Sequence, residues 1–271
     1  MLVCLASSAC SVLIDKERVQ CKVDDDCRAR GPEAVGSVCS DSICLPDPVW
    51  GCLGSVVFPK TSGGPYNLTI HVRDLVNQMP ISGVTAVVCA RPDPMCTMPL
   101  TLPTPATPMG DLQLVLPAGF DGFLELRAPG RMPGLYFVYP PMDANREIPL
   151  VPMLDADLVK TLAELNMKEL MPDRGHLLLG AYDCRKMPGE GIVLSSPDAD
   201  QKSSVFYVLN NLPKVDAKAT DASGRGGYIN MKEGVVAITA SLASDNRKIA
   251  SVSLLVRPGM MTFTSIVPSP K

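Results

Sequence analysis

The apolar residues of this chain fall mainly into short runs separated by turn residues. Residues 123–127, 235–240 and 252–257 are rich in branched side chains and lie next to glycine, proline or aspartate. Runs of this length and composition are typical of β-sandwich strands. Several of them at close spacing, in a chain with 26 prolines, 21 glycines and 5% aromatic residues, predict an all-β fold.

One strand–turn–strand pattern occurs twice along the chain. In each copy an apolar run is followed by an aspartate, a Met-Pro pair and a glycine. These are Asp74, Met79, Pro80 and Gly83 in the first copy and Asp183, Met187, Pro188 and Gly191 in the second. Self-similarity of this kind predicts tandem domains.

The segment between the two copies predicts one short amphipathic helix. Asp155 is a good N-cap residue, and Leu158, Leu162 and Leu165 recur at helical spacing before Asn166, where we expect the helix to end. A helix that binds a partner is the alternative, but an apolar stripe that faces a core is far commoner. We therefore expect the helix to pack across two β-sandwiches.

The second copy continues into a turn containing Thr220, Asp221 and Gly224. Together with the repeated aspartate, proline and glycine, this turn resembles the carboxypeptidase regulatory-like, or transthyretin-like, β-sandwich family. The first copy matches only the early half of the pattern, through Asp74 and Val84. The resemblance covers most of residues 54–268, and because it rests on turn residues it implies a fold and not an activity.

The expected architecture is two tandem transthyretin-like, Greek-key β-sandwiches with a short disulfide-rich N-terminal module and one linker helix. The predicted boundaries are 1–20 for a signal-like N-terminus, 21–52 for a cysteine-rich module, 53–152 for the first sandwich, 153–173 for the helical linker and 174–271 for the second sandwich.

Four cysteines lie in a short polar stretch, at Cys21, Cys27, Cys39 and Cys44. Because so polar a segment builds no hydrophobic core, we expect disulfides, which persist outside the reducing cytosol. Zinc is the alternative. Structural zinc sites usually contain pairs of ligands two to four residues apart, whereas the gaps here are five, eleven and four residues.

Four further cysteines complete an even set of eight. Cys89 and Cys96 bracket two prolines that bend the backbone, which favours a local disulfide and leaves Cys52 and Cys184 for each other. We expect no metal and no cofactor.

The first ten residues are small and apolar and end in Cys10. They resemble the end of a bacterial lipoprotein signal peptide, which implies lipidation of Cys10 and a membrane lipid anchor. The alternatives are the remnant of a cleaved signal or a short buried strand. The expected location is extracytoplasmic, either in the cell envelope as an outer-membrane lipoprotein or as a secreted protein.

Little in the sequence suggests catalysis. A net charge of −3 offers no basic surface for nucleic acid. His71 and His176 occupy matching strands of the two copies and are expected to be structural, and no hydrolase or phosphate-loop motif occurs. The consecutive acids Asp24, Asp25 and Asp26 are expected to form a solvated turn and not a calcium site.

Residues 132–141 concentrate aromatic side chains in an otherwise aromatic-poor chain. Tyr136 and Tyr139 are therefore candidates for a face that binds a sugar or a peptide. The sequence favours a non-enzymatic cell-envelope lipoprotein that acts as a surface scaffold or binding protein, with a surface glycan or protein as partner. A carbohydrate-binding module is the first alternative, and an accessory domain of a hydrolase or a cryptic hydrolase is the second.

Overall fold

The computed structural model describes residues 19–31, 36–58, 63–165, 169–210, 212–214 and 216–270. Cys10, where lipidation is expected, lies outside these residues. The chain divides into two compact units, Met1–Gly51 and Cys52–Lys271. No helix within the described ranges is long and apolar enough to span a membrane.

The first unit contains one short helix and one hairpin. Helix α1 spans Asp24–Arg28, and strands β1 (Ser37–Ser40) and β2 (Ile43–Pro46) pair in antiparallel fashion. Disulfides Cys21–Cys39 and Cys27–Cys44 cross-link this module. The solvated acidic turn predicted at residues 24–26 is therefore wrong in detail. These acids open a helix, where their negative charge is favourable near the N-terminal N–H groups.

The second unit contains fifteen described strands and one helix. The first copy contains β3 (Tyr66–Asp74), β4 (Thr85–Ala90), β5 (Thr104–Pro105), β6 (Asp111–Leu116), β7 (Gly122–Arg127), β8 (Gly134–Phe137) and β9 (Arg146–Met153). Helix α2 (Ala156–Leu165) follows. The second copy contains β10 (Arg174–Ala181), β11 (Ile192–Ser195), β12 (Ser204–Leu209), β13 (Leu212–Lys214), β14 (Arg225–Lys232), β15 (Gly234–Leu242), β16 (Lys248–Val256) and β17 (Met261–Ile266).

Six strands of each copy pair in the same way. In the first copy β3 pairs with β6 and, in parallel, with β9, while β7 pairs with β4 and β8. In the second copy β10 pairs with β14 and, in parallel, with β17, while β15 pairs with β11 and β16. The predicted all-β fold, with sandwich-like sheets, a disulfide-rich N-terminal module and one short helix, is confirmed.

The two copies share one sheet. Strand β17 lies between β10 and β8 and runs parallel to both, which creates a nine-stranded sheet of order β13-β12-β14-β10-β17-β8-β7-β4-β5. We call this the shared sheet. One core cluster joins β3, β6, β9 and α2 to Leu178 and Phe263 on one face of it. On the other face, the hydroxyls of Tyr207 and Tyr228 bond to the backbone of Leu194 in β11.

The repeated aspartates organise equivalent turns. Oδ1 of Asp74 accepts two backbone N–H groups of its own turn, at 2.9 and 3.1 Å, and Oδ1 of Asp183 accepts two, at 2.8 and 2.9 Å. Each turn then makes an isolated β-bridge to a proline, Pro80 in the first copy and Pro188 in the second. The sequence repeat is thus a repeat of turn chemistry, in which a short carboxylate replaces backbone partners.

The helix begins as the sequence predicts. The backbone N–H of Leu158 donates to Oδ1 of Asp155 at 2.8 Å, which is an N-cap. Val159 and Ala163 are buried in the core cluster, and Leu158 is half-buried. The side chains of Leu162 and Leu165, and residue Asn166, lie outside the described part of the chain.

Candidate functional site

The tyrosines predicted as a ligand face do not form an exposed surface. Tyr136 is 4% exposed and belongs to the core, and burial raises the pKa of its hydroxyl. Tyr139 is half-buried and its ring meets that of Phe58 edge-on, at 6.0 Å between centroids. The physical reason is that β7 and β17 pair with both edges of β8 and that all four residues of β8 are buried, so both of its faces are covered as well. The prediction for Tyr136 is therefore corrected.

The remaining aromatic side chains are also buried or half-buried. The chain has one tryptophan, six tyrosines and six phenylalanines, all within the described ranges. Each of these thirteen side chains is buried or half-buried. Sugar rings are commonly held by stacking on exposed aromatic faces, so the described surface offers no platform of that kind.

His71 lies in a polar cluster on the outward face of strands β6, β3 and β9. Its Nδ1 lies 2.7 Å from Oδ1 of Asp111 and its Nε2 lies 3.0 Å from Oε1 of Glu147. Arg73 donates to the same Asp111 oxygen at 2.8 Å. The hydrogen bond to Asp111, followed by that to Glu147, raises the pKa of His71. An imidazolium whose two N–H groups both donate is a structural cation and has no free lone pair with which to act as a base.

This cluster predicts a specific pH dependence of stability. The folded pKa of His71 lies above the unfolded value of about 6.5. Protonated His71 therefore stabilises the fold fully below about pH 6.5, and this stabilisation is lost as pH rises through the folded pKa. Comparison of urea unfolding of the wild type and His71→Asn should therefore show a stability difference that shrinks over the pH range above about 6.5. Gln113→Asn, on the same outward face, is the non-titrating control. A His71→Asn difference that stays constant across this range contradicts the assignment.

His176 has the opposite environment. It is 2% exposed, and burial lowers its pKa to about 4, so it is neutral at physiological pH. Its Nδ1 accepts the backbone N–H of Asn230 at 3.2 Å. This histidine therefore satisfies a buried backbone donor, and the two histidines do not meet in one site.

All eight cysteines of the predicted even set are paired. The structure contains Cys21–Cys39, Cys27–Cys44, Cys52–Cys184 and Cys89–Cys96. Within the described ranges, the one group of three potential metal ligands is formed by the sulfurs of Cys21, Cys27 and Cys44, which lie within 4.8 Å of one another. Each is already bonded to another sulfur, and zinc binds thiolates. Four disulfides indicate an oxidising compartment outside the cytosol.

The acidic residues of α1 accept hydrogen bonds from nearby backbone N–H groups. Asp26 accepts the backbone N–H groups of Lys22 and Val23, at 2.6 and 3.1 Å. Asp24 accepts the N–H of Cys39 at 2.9 Å, which links the helix to the hairpin. These carboxylates stabilise the module and are not arranged around a common centre.

A cavity of about 40 Å³ lies between α2 and the shared sheet, where the sheet of β6, β3 and β9 ends. Its walls are mainly apolar. They come from the turn after β3, from α2 and the residue Leu154 before it, and from five strands of the shared sheet, and they include Leu75, Leu158, Leu178, Phe206 and Met261. No lining residue is acidic, nucleophilic or a histidine. The cavity therefore has the composition of a binding site and lacks the groups of a hydrolase.

One charged side chain lines this cavity, and sequence reasoning missed it. Arg225 begins β14, on the same face of the strand as the buried Ile229. Within the described part of the chain its guanidinium makes no hydrogen bond and no close ion pair, although it is attracted electrostatically to Asp221. The nearby carboxylate of Asp221 instead accepts backbone N–H groups of Asn210 at 2.7 Å and Ser223 at 2.8 Å. The sequence signal was an arginine between two glycines, which reads as an ordinary turn.

Comparisons with known proteins give no family. No protein-family model and no curated protein matches the chain. The fold is similar to that of the Bacillus anthracis TIE protein, at 11% identity and a TM-score of 0.26, over 77% of this chain and 34% of that one. The chain thus spans about a third of that protein's length.

Two further similarities are of the same order. The shaft pilin SpaA from Lactobacillus rhamnosus GG is 14% identical over 76% of this chain and 99% of that one, with a TM-score of 0.24. CBMbc (family CBM26) from Eubacterium rectale Amy13K, solved in complex with maltoheptaose, is 12% identical over 73% and 91%, with a TM-score of 0.27. Values this low leave the function to be argued from the chain itself.

Proposed function

We propose that this protein is a non-enzymatic surface protein of the cell envelope, anchored by lipid at Cys10, whose tandem sandwiches form a rigid scaffold that carries a binding site. The observation that carries the scaffold role is the shared sheet. Two domains joined only by a linker can move relative to each other, whereas the backbone hydrogen bonds between β17 and β8 join these copies directly.

Side-chain contacts reinforce this junction on the face opposite α2. Arg257, at the end of the second copy's β16, donates to the carboxylate of Glu125 in β7 at 2.7 Å and to the carbonyl of Pro94. Its guanidinium also lies over the ring of Phe123, 5.4 Å from the centroid. Arg257 and Glu125 are both largely buried, so the pair resists salt screening better than a surface ion pair does.

The remaining parts of the proposal follow from the compartment and the polar groups. An oxidising compartment fits a surface or secreted protein. His71 and His176 are engaged in structural bonds, which favours scaffolding and binding over catalysis. The resemblance to carboxypeptidase regulatory-like sandwiches belongs to the same proposal and is supported by the equivalent turns at Asp74 and Asp183.

The anchor is tested by fractionation of cells that produce the full-length protein. Cys10→Ser is expected to move the protein from the membrane fraction to the soluble fraction and to abolish incorporation of labelled fatty acid. Cys4→Ser, which changes the other N-terminal cysteine, is the matched control and should leave both readouts unchanged. Membrane association and labelling that survive Cys10→Ser would refute the anchor at this position.

A further inference from the structure

We propose that the cavity beneath α2 binds a small carboxylate carried on a short, branched aliphatic chain. The apolar chain would enter the cavity and the carboxylate would meet Arg225 at its wall. This inference rests on the binding part of the proposed function and does not depend on the lipid anchor at Cys10.

The size of the cavity sets the size of the apolar group. About 40 Å³ of the cavity is open to the centres of water molecules, which is room for about three waters. Three waters occupy about 90 Å³ in the liquid. A branched chain of four or five carbons occupies roughly this space, whereas a sugar ring or a long acyl chain exceeds it. The lining side chains Leu158, Phe206 and Met261 offer only apolar contact. Water in such a site gains few hydrogen bonds, so its displacement by an aliphatic group is favourable.

The charge of the site selects the head group. Arg225 is half-buried and lacks an ion pair among the described residues, while the lining contains no carboxylate that could neutralise it. A guanidinium presents parallel N–H donors that match the two oxygens of a carboxylate. With one arginine and no second cation on the lining, a monoanion fits the site better than a phosphate dianion.

The neighbours of Arg225 do not form hydrogen bonds to its guanidinium within the described residues. Gly227, two residues along the same face, has no side chain that could cover the guanidinium, and the site of its missing Cβ is taken by the strand itself, 1.9 Å from the carbonyl oxygen of Leu177 and 3.0 Å from the ring of Phe206. Asp221 lies close enough to attract Arg225 electrostatically, but its two oxygens accept the backbone N–H groups of Asn210 and Ser223, and within the described residues it makes no hydrogen bond to the guanidinium. The guanidinium therefore lines an apolar volume and makes no hydrogen bond to the described part of the protein.

The test is a titration of the full chain with 4-methylpentanoate, followed through the methyl signal of Met261, which lines the cavity. A Met261→Leu variant assigns the signal. For a ligand this small, a Kd on the order of 1 mM is expected. The neutral 4-methylpentanamide should bind at least about tenfold more weakly, because it cannot pair with the guanidinium.

Three variants separate the contribution of the Arg225 charge to binding from that of the apolar cavity. Arg225→Gln is expected to weaken the acid by about tenfold or more while leaving the amide unchanged. Lys232→Gln removes one exposed positive charge from the same strand and should change neither, which controls for non-specific attraction. Leu158→Phe should fill the cavity from the half-buried helix side and abolish binding of both ligands. Circular dichroism verifies that each variant is folded.

N-acetyl-leucine distinguishes the source of the carboxylate, since it mimics the C-terminus of a peptide. Tighter binding of N-acetyl-leucine than of 4-methylpentanoate indicates a peptide end, and the reverse indicates a free branched acid.

Equal affinities for acid and amide, an Arg225→Gln variant that retains the acid, or no shift of the Met261 signal at about 20 mM ligand would each overturn the proposal. Membrane fractionation of Arg225→Gln should match the wild type, so that failure of the ligand and failure of the anchor are distinguishable.

Discussion

Removal of the Cys52–Cys184 disulfide is expected to lower the free energy of unfolding of the Cys52–Lys271 unit by about 5 kcal/mol. The two cysteines are 132 residues apart in sequence, so the disulfide restricts a very large loop in the unfolded chain. The entropy removed from the unfolded state grows with the logarithm of loop length. Cys52→Ala/Cys184→Ala should therefore be the most destabilising of the possible disulfide deletions.

The chain contains its own control for this effect. Cys89 and Cys96 are only 7 residues apart, and Cys89→Ala/Cys96→Ala is expected to cost about 2.5 kcal/mol by the same loop-entropy relation. Urea unfolding of both double variants, followed by circular dichroism, measures the difference. Equal losses in the two variants would show that loop length does not govern the stabilisation. Alanine is used because Cys89 is fully buried and serine would add an unpaired hydroxyl.

Substitution of Gly224 by alanine is expected to cost about 3 kcal/mol, since it combines a strained backbone angle with a collision. Gly224 has a φ of +65°, and a Cβ there would lie 2.4 Å from the carbonyl oxygen of Ala181. That oxygen belongs to the backbone of β10 and cannot rotate away. The carbonyl of Gly224 meanwhile accepts the N–H of Ala181 at 2.7 Å, which holds the turn against the strand.

Gly191→Ala is the matched control for the backbone angle alone. Gly191 has a φ of +72°, but no atom lies within 4 Å of the Cβ position. Its replacement should cost about 1 kcal/mol, the penalty for a left-handed conformation. Thermal and urea unfolding of the two variants give the comparison. If Gly224→Ala and Gly191→Ala lose the same stability, the close approach to Ala181 does not contribute.

The first copy shows why local turn chemistry could be read from sequence only in part. Gly110 there occupies the place of Gly224: its carbonyl accepts the N–H of Val72 at 2.8 Å, and its Cβ would lie 2.6 Å from the Val72 oxygen. This turn lacks the aspartate of the second copy, and the hydroxyl of Thr107 accepts the N–H of Asp111 instead. The geometry is the same although the residues differ, so a sequence pattern based on the aspartate missed half of the match.

The cysteine pairing also shows what could and what could not be predicted from the sequence. Cys89–Cys96 could be predicted because two prolines bend a short loop, and Cys52–Cys184 followed by elimination. The pairing of Cys21 with Cys39 and of Cys27 with Cys44 could not be predicted, because several pairings suit cysteines spaced so closely.

Sequence by itself determined the elements of this protein: short strands, the repeated turns, the capped helix and the set of disulfide cysteines. These depend on interactions within a few residues, which leave a pattern of residue types. Tertiary structure alone decided that β8 and β17 join the copies into one sheet, that Tyr136 is buried, and that Arg225 stands beside an apolar cavity. Each of these depends on segments far apart in the chain, whose packing the local pattern does not encode.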